Sequence, residues 1–164
     1  MNLMPEIIVI AHNIRSTHNV GSIFRTCEGF GVQKLILSGY TPYPKMDHDT
    51  RLPHIAEKLT SQIHKTALGA ESMVSFEHQE LPDLALLKHE GYRVVGLEQA
   101  DPSINLREYK TPEKVALLLG EEVHGIEKEL LDQCDDIIEI PMAGQKESFN
   151  VSVAAGITLY ALTA

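Results

Sequence analysis

Cysteine is scarce in this chain, and its two residues lie far apart. Cys27 and Cys134 are the only cysteines among 164 residues, and neither belongs to a CxxC or Cys–His ligand pattern. A disulfide framework and a zinc site are therefore not expected. Both cysteines are interpreted as small core residues.

Long apolar runs and a basic leader are also missing. No stretch approaches the roughly 20 apolar residues that span a bilayer, and the amino terminus lacks the basic region of a secretory signal. We therefore expect a cytoplasmic protein without a membrane partner.

The common nucleotide and metal patterns are absent as well. A Rossmann fingerprint would place glycines directly after the first predicted strand, where the chain reads A-H-N-I-R-S from Ala11. Gly120 and Gly125 have the spacing of a P-loop, but Ile126 and Glu127 follow where Lys and Ser or Thr are required. The eight histidines include no HxH or HxxxH pair. These absences argue against a dinucleotide fold, ATP hydrolysis and a metal site.

What is present is the composition of an ordinary globular domain, with 43% hydrophobic and 23% charged residues. The length and the lack of a repeat or linker predict a single domain over residues 1–164. A domain of this size buries enough surface to fold without disulfides.

Charge is distributed unevenly along the chain. The net charge of -9 opposes a phosphate-rich partner on average. Residues 1–70, however, carry seven Lys or Arg and five Asp or Glu, a net of +2, whereas residues 71–164 carry seven and eighteen, a net of -11. Six basic residues of the first half are candidates for a cationic surface: Arg15, Arg25, Lys45, Arg51, Lys58 and Lys65. For the three lysines, scattered surface charge is the alternative.

Short apolar runs alternate with segments of helical spacing, which predicts an α/β fold with a mostly parallel sheet and helices on both faces. The predicted strands are 6–11, 34–37, 73–76, 92–97, 115–119 and 136–140. The predicted helices are 19–30, 52–67, 81–89, 126–134 and 150–162. Three prolines make residues 38–53 the most irregular segment.

Three segments have motif-like spacing. The first is N-V-G-S-I-F-R, with Asn19, Gly21 and Arg25. The second is an apolar run followed by G-E-E-V-H-G, with Gly120, Glu122 and Gly125. The third, from Ile140, reads I-P-M-A-G-Q-K-E-S-F-N-V-S-V-A. Its polar side chains stand where a helix would begin, and its Ser and Asn are suited to cap that helix.

In this order the three segments resemble the motifs of the SpoU (TrmH) branch of the SPOUT RNA methyltransferases, over nearly the whole chain. Phe149 stands where the family more often has Leu. The resemblance implies a carboxy-terminal deep trefoil knot, S-adenosylmethionine as methyl donor, an RNA substrate and a homodimer with a composite site. The segment from Asn150 to Leu162 would be the interface helix, although packing within one chain is an equal alternative.

The resemblance also implies roles for individual residues. Arg25 would grip a phosphate beside the target ribose and, with it, polarise or relay the hydroxyl proton, because an arginine stays protonated and is a poor base. Asn19 would orient Arg25 or the acceptor ribose, and Glu122 would hold Arg25 or the ribose. From the opposite wall, Ser148 and Asn150 would bond to the acceptor region or to Arg25. Three alternatives are structural: Asn19 as the cap of the first helix, Arg25 capping or pairing on a helix surface, and Glu122 as a solvated charge.

The same resemblance implies a cofactor pocket between the second and third motifs. Its expected lining residues are Leu119, Gly120, Gly125, Ile140, Met142, Gly144 and Ser148. The three glycines would admit close approach of backbone and adenosyl group, and ordinary turn glycines are the alternative.

The substrate is the least determined part of this interpretation. Short stretches resemble enzymes that methylate a guanosine ribose of tRNA, which favours tRNA over rRNA. Methylation of a base by the same fold and a non-catalytic RNA-binding module remain as alternatives.

Overall fold

The computed structural model describes residues 3–164, and its centre is one parallel sheet of seven strands. The strands are β1 (Glu6–His12), β2 (Lys34–Ser38), β3 (Phe76–Gln79), β4 (Arg93–Leu97), β5 (Ile104–Asn105), β6 (Lys114–Leu119) and β7 (Asp136–Glu139). Their order across the sheet is β3-β2-β1-β6-β4-β7-β5, and every neighbouring pair is parallel. All seven carboxyl ends therefore lie at one edge.

Five α-helices cover the two faces of this sheet. They are α1 (Thr17–Gly29), α2 (Pro53–Ala67), α3 (Leu84–His89), α4 (Lys128–Leu131) and α5 (Val151–Thr163). Alternate residues of β1 belong to two different hydrophobic clusters, one shared with α1, α2 and α5 and the other with α3 and α4. The predicted α/β class, with helices on both faces of a parallel sheet, is confirmed.

Helix ends are fixed by local chemistry. The Ser16 side chain caps α1 by accepting from the backbone N–H of Asn19 at 3.1 Å, and Gly31, at φ +67°, takes the chain away from its carboxyl end. Pro53 opens α2, where a missing N–H costs nothing. The Asn150 side chain caps α5 by accepting from the N–H groups of Ser152 and Val153.

Three predictions of local structure are corrected. The first helix begins at Thr17, so Ser16 and not Asn19 is its cap. The strand predicted at 73–76 lies at Phe76–Gln79, because a 3-10 turn at Ala70–Ser72 precedes it and leaves Met73 exposed. The two-residue strand β5 was not predicted, since so short a pairing leaves no periodic pattern.

The sheet order brings the site together. Because β6, β4 and β7 are consecutive in the sheet, the loops that follow them are neighbours, although β4 and β7 are separated by about forty residues of chain. No helix among residues 3–164 is long and apolar enough to cross a membrane.

Gly21, the glycine of the first motif, is required by the contact between α1 and α2. A Cβ on Gly21 would collide with Thr66 Oγ1 and the Ile63 carbonyl and lie 3.0 Å from the Ala67 nitrogen. Thr66 also donates a hydrogen bond of 2.8 Å to the His18 carbonyl across the same contact.

We expect Gly21→Ala to lower the free energy of unfolding by about 1–3 kcal/mol or more, because backbone atoms of α2 cannot move aside cheaply. Gly29→Ala is the matched control, since a Cβ on Gly29 meets nothing within 4 Å. Urea denaturation of both variants measures the difference. Equal stability of the two variants would show that the helices do not meet at Gly21.

Candidate functional site

A cavity of about 240 Å³ opens at the carboxyl ends of β4, β6 and β7. Three loops and the first turn of α5 surround it. Its lining residues are Leu97, Glu98, Gln99, Leu119, Gly120, Glu121, Glu122, Val123, His124, Gly125, Glu139, Ile140, Met142, Glu147, Ser148, Phe149, Val151 and Ala154. The second and third motifs therefore meet in one cavity.

The loop after β6 is a tight turn that depends on two glycines. Glu121 and Gly125 exchange backbone hydrogen bonds of 2.8 and 3.1 Å across it. A Cβ on Gly120 would lie 2.6 Å from the backbone carbon of Gly125, and Gly125 has a φ of +69°. Backbone therefore passes close to backbone at Gly120, as the sequence predicts, and the positive φ of Gly125 gives that position its own reason to be glycine.

Gly144 differs from these two glycines. It lies in the exposed loop between β7 and α5, does not line the cavity, and has no atom of residues 3–164 within 4 Å of an added Cβ. Close approach of backbone is therefore not seen at Gly144 within these residues, and close approach of the adenosyl group there stays a prediction.

Glu98 anchors the turn from β4 and was not singled out from the sequence. Its Oε2 accepts from the Ile126 N–H at 2.8 Å, and its carboxylate occupies the space that a side chain on Gly125 would need. The only sequence signal was an acidic residue directly after a buried strand.

A second anchor joins the end of this turn to β1. His12 is 4% exposed, its Nδ1 is 2.9 Å from Ser38 Oγ, and its Nε2 is 3.2 Å from Glu127 Oε1. Asn13 also donates to Glu127 Oε1 at 3.2 Å. The turn is therefore held on both sides, by β4 and by β1.

One chain of hydrogen bonds connects all three motifs. Asn19 Nδ2 donates to Glu122 Oε1 at 3.0 Å, and Asn150 Nδ2 donates to Asn19 Oδ1 at 3.2 Å. The other end of the Asn150 amide, Oδ1, caps α5 by accepting from the backbone N–H of Ser152 and from its hydroxyl, which is 2.6 Å away. We call Glu122, Asn19 and Asn150 the polar junction. Both ends of the Asn19 amide are engaged, so its orientation is fixed.

The cavity has a strongly acidic lining. Its lining includes five carboxylates, those of Glu98, Glu121, Glu122, Glu139 and Glu147. Within residues 3–164, no Lys or Arg lines it. Apolar surface is supplied by Leu119, Ile140 and Met142. Such a lining favours a ligand that combines an apolar body with positive charge and disfavours a bare phosphate.

Most of the predicted cofactor residues share this one cavity. Leu119, Gly120, Gly125, Ile140, Met142 and Ser148 all line it, and so does Glu122. Asn19 and Asn150 reach it through the hydrogen bonds of the polar junction.

Arg25 stands apart from its predicted partners. It is exposed on α1, it does not line the cavity, and no hydrogen bond or ion pair within the described chain joins it to Glu122. The expected contact of Glu122 is made by Asn19 instead, because Asn19 is almost two turns nearer the start of α1.

The predicted cationic surface is only partly available. Arg51 is tied to Asp49 at 2.6 Å and to the carbonyls of Tyr43 and Pro44, and Lys45 pairs with Glu57 at 3.8 Å. In residues 3–164, no cluster of three or more His, Cys, Asp or Glu side chains is suited to hold a metal ion.

Comparison with known proteins assigns the family. A family model described as the SpoU rRNA methylase family matches residues 6–160. The tRNA (guanosine(18)-2'-O)-methyltransferase of Aquifex aeolicus is 34% identical over 94% of this chain and 67% of its own length. The mouse tRNA (guanosine(18)-2'-O)-methyltransferase TARBP1 is 31% identical over 98% of this chain but only 9% of its own length.

A solved structure has the same fold. The crystal structure of an AdoMet-bound rRNA methyltransferase from Sinorhizobium meliloti superposes with a TM-score of 0.79 at 24% identity, over 98% of this chain and 56% of that chain. This chain thus spans only part of the length of each of these proteins. The motifs, the match over residues 6–160 and the similarity to the A. aeolicus enzyme agree, and the chain belongs to the SpoU rRNA methylase family.

Proposed function

We propose that this protein transfers a methyl group from S-adenosylmethionine to a ribose 2'-hydroxyl of RNA, with tRNA favoured as the substrate. The observation that carries the proposal is the polar junction, which connects the acidic cavity to the starts of α1 and α5. It gathers hydrogen-bonding groups of fixed orientation beside a cavity suited to a cationic cofactor.

The cavity fits S-adenosylmethionine by its chemistry. The cofactor carries a sulfonium and an ammonium group, and five glutamates line this cavity. Leu119, Ile140 and Met142 supply apolar surface for the adenine, and the turn from Gly120 to Gly125 presents backbone groups to it. When bound, the cofactor supplies a methyl group already activated for transfer.

Because the methyl group is already activated, the main task of the protein is to position the ribose hydroxyl that accepts it. Ser148, which lines the cavity, and the polar junction are placed to hold a ribose against the methyl group. Glu122 and Asn150 fix the two ends of the Asn19 amide, so its orientation requires no adjustment when RNA binds. Fixed geometry of this kind supplies much of the rate of a transfer reaction. Gly144 itself does not line the cavity, and we propose that it contributes only as part of the loop that carries Ser148.

Arg25 is assigned to the phosphate next to the acceptor ribose. A guanidinium binds a phosphate through two parallel hydrogen bonds and stays protonated, so it polarises the hydroxyl or relays its proton through the phosphate and does not act as a simple base. Since Arg25 lies away from the cavity of its own chain, we infer that it serves the cavity of a second copy.

The surface of α5 supports such a homodimer. Its outer face and the residue before its cap expose an apolar row at 37–68% of full exposure: Phe149, Val153, Ile157 and Tyr160. Residues on the opposite face, including Ala155 and Leu159, are buried in the core. The helix therefore packs within its own chain and also offers a surface to a partner. Phe30 at the end of α1 meets Tyr160 edge-on at 6.5 Å, which extends this surface to the helix that carries Arg25.

The trefoil knot is also part of the proposal. It is supported by the insertion of β6 between β1 and β4 and by the loops after β6 and β7, which line the same cavity. A cytoplasmic location likewise stays a prediction.

Two named relatives that act on tRNA favour tRNA as the substrate, and the rRNA methylase family description keeps rRNA as the second candidate. Methylation of a base nitrogen and a non-catalytic RNA-binding role are further alternatives. The amide-rich polar junction favours an acceptor hydroxyl over a ring nitrogen, since it presents donors and acceptors together.

Incubation with isotopically labelled S-adenosylmethionine and unmodified total tRNA or rRNA, followed by nucleoside mass spectrometry, tests the reaction. We expect label in a 2'-O-methylnucleoside of tRNA. Label in a 2'-O-methylnucleoside of rRNA would show that rRNA and not tRNA is the substrate, and label on a base would contradict the ribose assignment. Cofactor binding without transfer to either RNA would favour the non-catalytic role.

We expect Arg25→Ala to lower the transfer rate by about 100-fold or more, as removal of a charge-stabilising group does elsewhere. Its folding, cofactor affinity and dimerisation should be unchanged, because Arg25 is exposed and makes no ion pair within residues 3–164. Arg107→Ala is the matched control, since Arg107 is also exposed and, like Arg25, does not line the cavity, and it belongs to none of the three motifs. Loss of folding in Arg25→Ala would instead show a structural role.

A mixture of variants tests the composite site. Arg25→Ala and Ser148→Ala, each inactive alone, should recover about a quarter of wild-type activity when they are unfolded and refolded together at equal amounts, because half of the dimers then contain one intact site of two. No recovery, with heterodimers demonstrated by mass, would place Arg25 and Ser148 in the same chain's site.

A further inference from the structure

A second cavity opens at the same edge of the sheet as the first, at the carboxyl ends of β1, β2 and β3. Its volume is about 660 Å³, and it is wide and open to solvent. Residues 15–18 before and at the start of α1 form one wall, and residues 39–43 after β2 form the other. The function proposed above makes no use of it.

The lining of this cavity differs in charge from that of the first. Two arginines, two histidines and one glutamate border it: Arg15, Arg51, His18, His78 and Glu80. A protein with a net charge of -9 thus has one basic groove beside one acidic cavity. Phosphates are repelled by the acidic cavity and attracted by the basic groove.

Some of these side chains are engaged within the protein, where they support the loop after β2, and are not available to a ligand. Arg51 is bonded to Asp49 and to two backbone carbonyls, and its guanidinium lies 3.6 Å from the centre of the Tyr43 ring. His78 stacks on Tyr43 at 4.1 Å. Both faces of Tyr43 are therefore covered, and the ring stabilises the loop after β2.

Tyr40 and Arg15 are the groups that remain available. Tyr40 is 50% exposed, and Arg15 is exposed with its guanidinium carbon 5.7 Å from the centre of the Tyr40 ring. Within residues 3–164 the Arg15 side chain has no hydrogen bond or ion pair. An exposed aromatic ring beside an unpaired arginine is suited to a stacked base and its phosphate.

The backbone beneath this pair is rigid. Asn13, held at φ +57°, accepts through Oδ1 from the Tyr40 N–H at 3.1 Å. Thr41 is 2% exposed, donates to the Ala11 carbonyl at 2.9 Å and accepts from the Ile14 N–H at 2.8 Å. These three hydrogen bonds join the two loops that carry Arg15 and Tyr40. Because these loops are already held in place, little backbone entropy is lost when a ligand binds.

The first turn of α1 separates this groove from the polar junction. His18 lines the groove, and the next residue, Asn19, belongs to the junction. A ribonucleotide chain whose ribose reaches the junction can thus place an adjoining nucleotide in this groove, which Tyr40 also lines.

We propose that Tyr40 and Arg15 form a binding subsite for an unpaired nucleotide next to the methylated one, with its base on the Tyr40 ring and a phosphate on Arg15. This subsite rests on the proposed function in taking RNA as the ligand. It adds a phosphate contact in this groove, outside the acidic cavity, to the one proposed for Arg25.

The test measures RNA affinity separately from methyl transfer. A fluorescein-labelled single-stranded 12-mer RNA of mixed sequence and labelled total tRNA are titrated with wild type, Tyr40→Leu, Tyr40→Phe, Arg15→Ala and the control Arg107→Ala. Fluorescence anisotropy gives Kd at several salt concentrations. Circular dichroism and cofactor titration check that each variant is folded and binds S-adenosylmethionine.

Tyr40→Leu should weaken RNA binding about 5- to 100-fold, and Tyr40→Phe should restore it because the ring remains. Arg15→Ala should weaken binding and reduce the slope of log K against log salt by about 0.7 for one lost phosphate contact. In methyl transfer, both changes should raise KM for RNA while kcat at saturating RNA stays within about threefold, since the acceptor is held elsewhere.

Binding by Tyr40→Leu and Arg15→Ala within about twofold of wild type would overturn the subsite, as would a wild-type protein that binds neither RNA. If the wild type binds RNA but transfers no methyl group, the proposed reaction fails. The affinities of the variants still decide the subsite in that case.

Discussion

The site depends on the contact that Asn19 makes with two distant segments. Glu122 lies 103 residues after Asn19 and Asn150 lies 131 residues after it, yet both bond to the same side-chain amide. This contact forms only when β6 is beside β1 and when α5 packs along α1. A single polar junction thus forms only when the sheet, the turn from Gly120 to Gly125 and the last helix are all in place. The cap that Asn150 provides to α5 adds a local reason for the same geometry.

Separation of charge is the second principle of the molecule. Carboxylates surround the first cavity, whereas Arg15, His18 and the scaffold residues Arg51 and His78 border the groove at the other end of the same sheet edge. In the proposed function, a cationic cofactor and an anionic polymer are thereby directed to different places by one acidic protein, with the first turn of α1 between them.

The sequence predicted the class of the fold because buried parallel strands and amphipathic helices have strong periodic signals. It predicted Gly120 and Gly125 because a motif marked them, and the steric need for glycine there is real. It did not predict the partner of Glu122, since which side chains meet across the sheet is set by strand order, which no local pattern encodes. Glu98 was missed for the same reason, and β5 because two residues carry no period. Gly144 shows the converse: it shares a motif with residues that line the cavity, but no atom of residues 3–164 lies within 4 Å of a Cβ added to it.

The most direct test of the polar junction is the single-turnover rate of methyl transfer by Asn150→Asp. Aspartate caps a helix about as well as asparagine, so stability and cofactor affinity should remain close to wild type. The substitution removes the amide donor to Asn19, and we expect the rate to fall at least about tenfold because the acceptor is no longer held in place. A wild-type rate in a folded, cofactor-binding Asn150→Asp protein would show that the junction caps α5 and has no part in positioning the RNA.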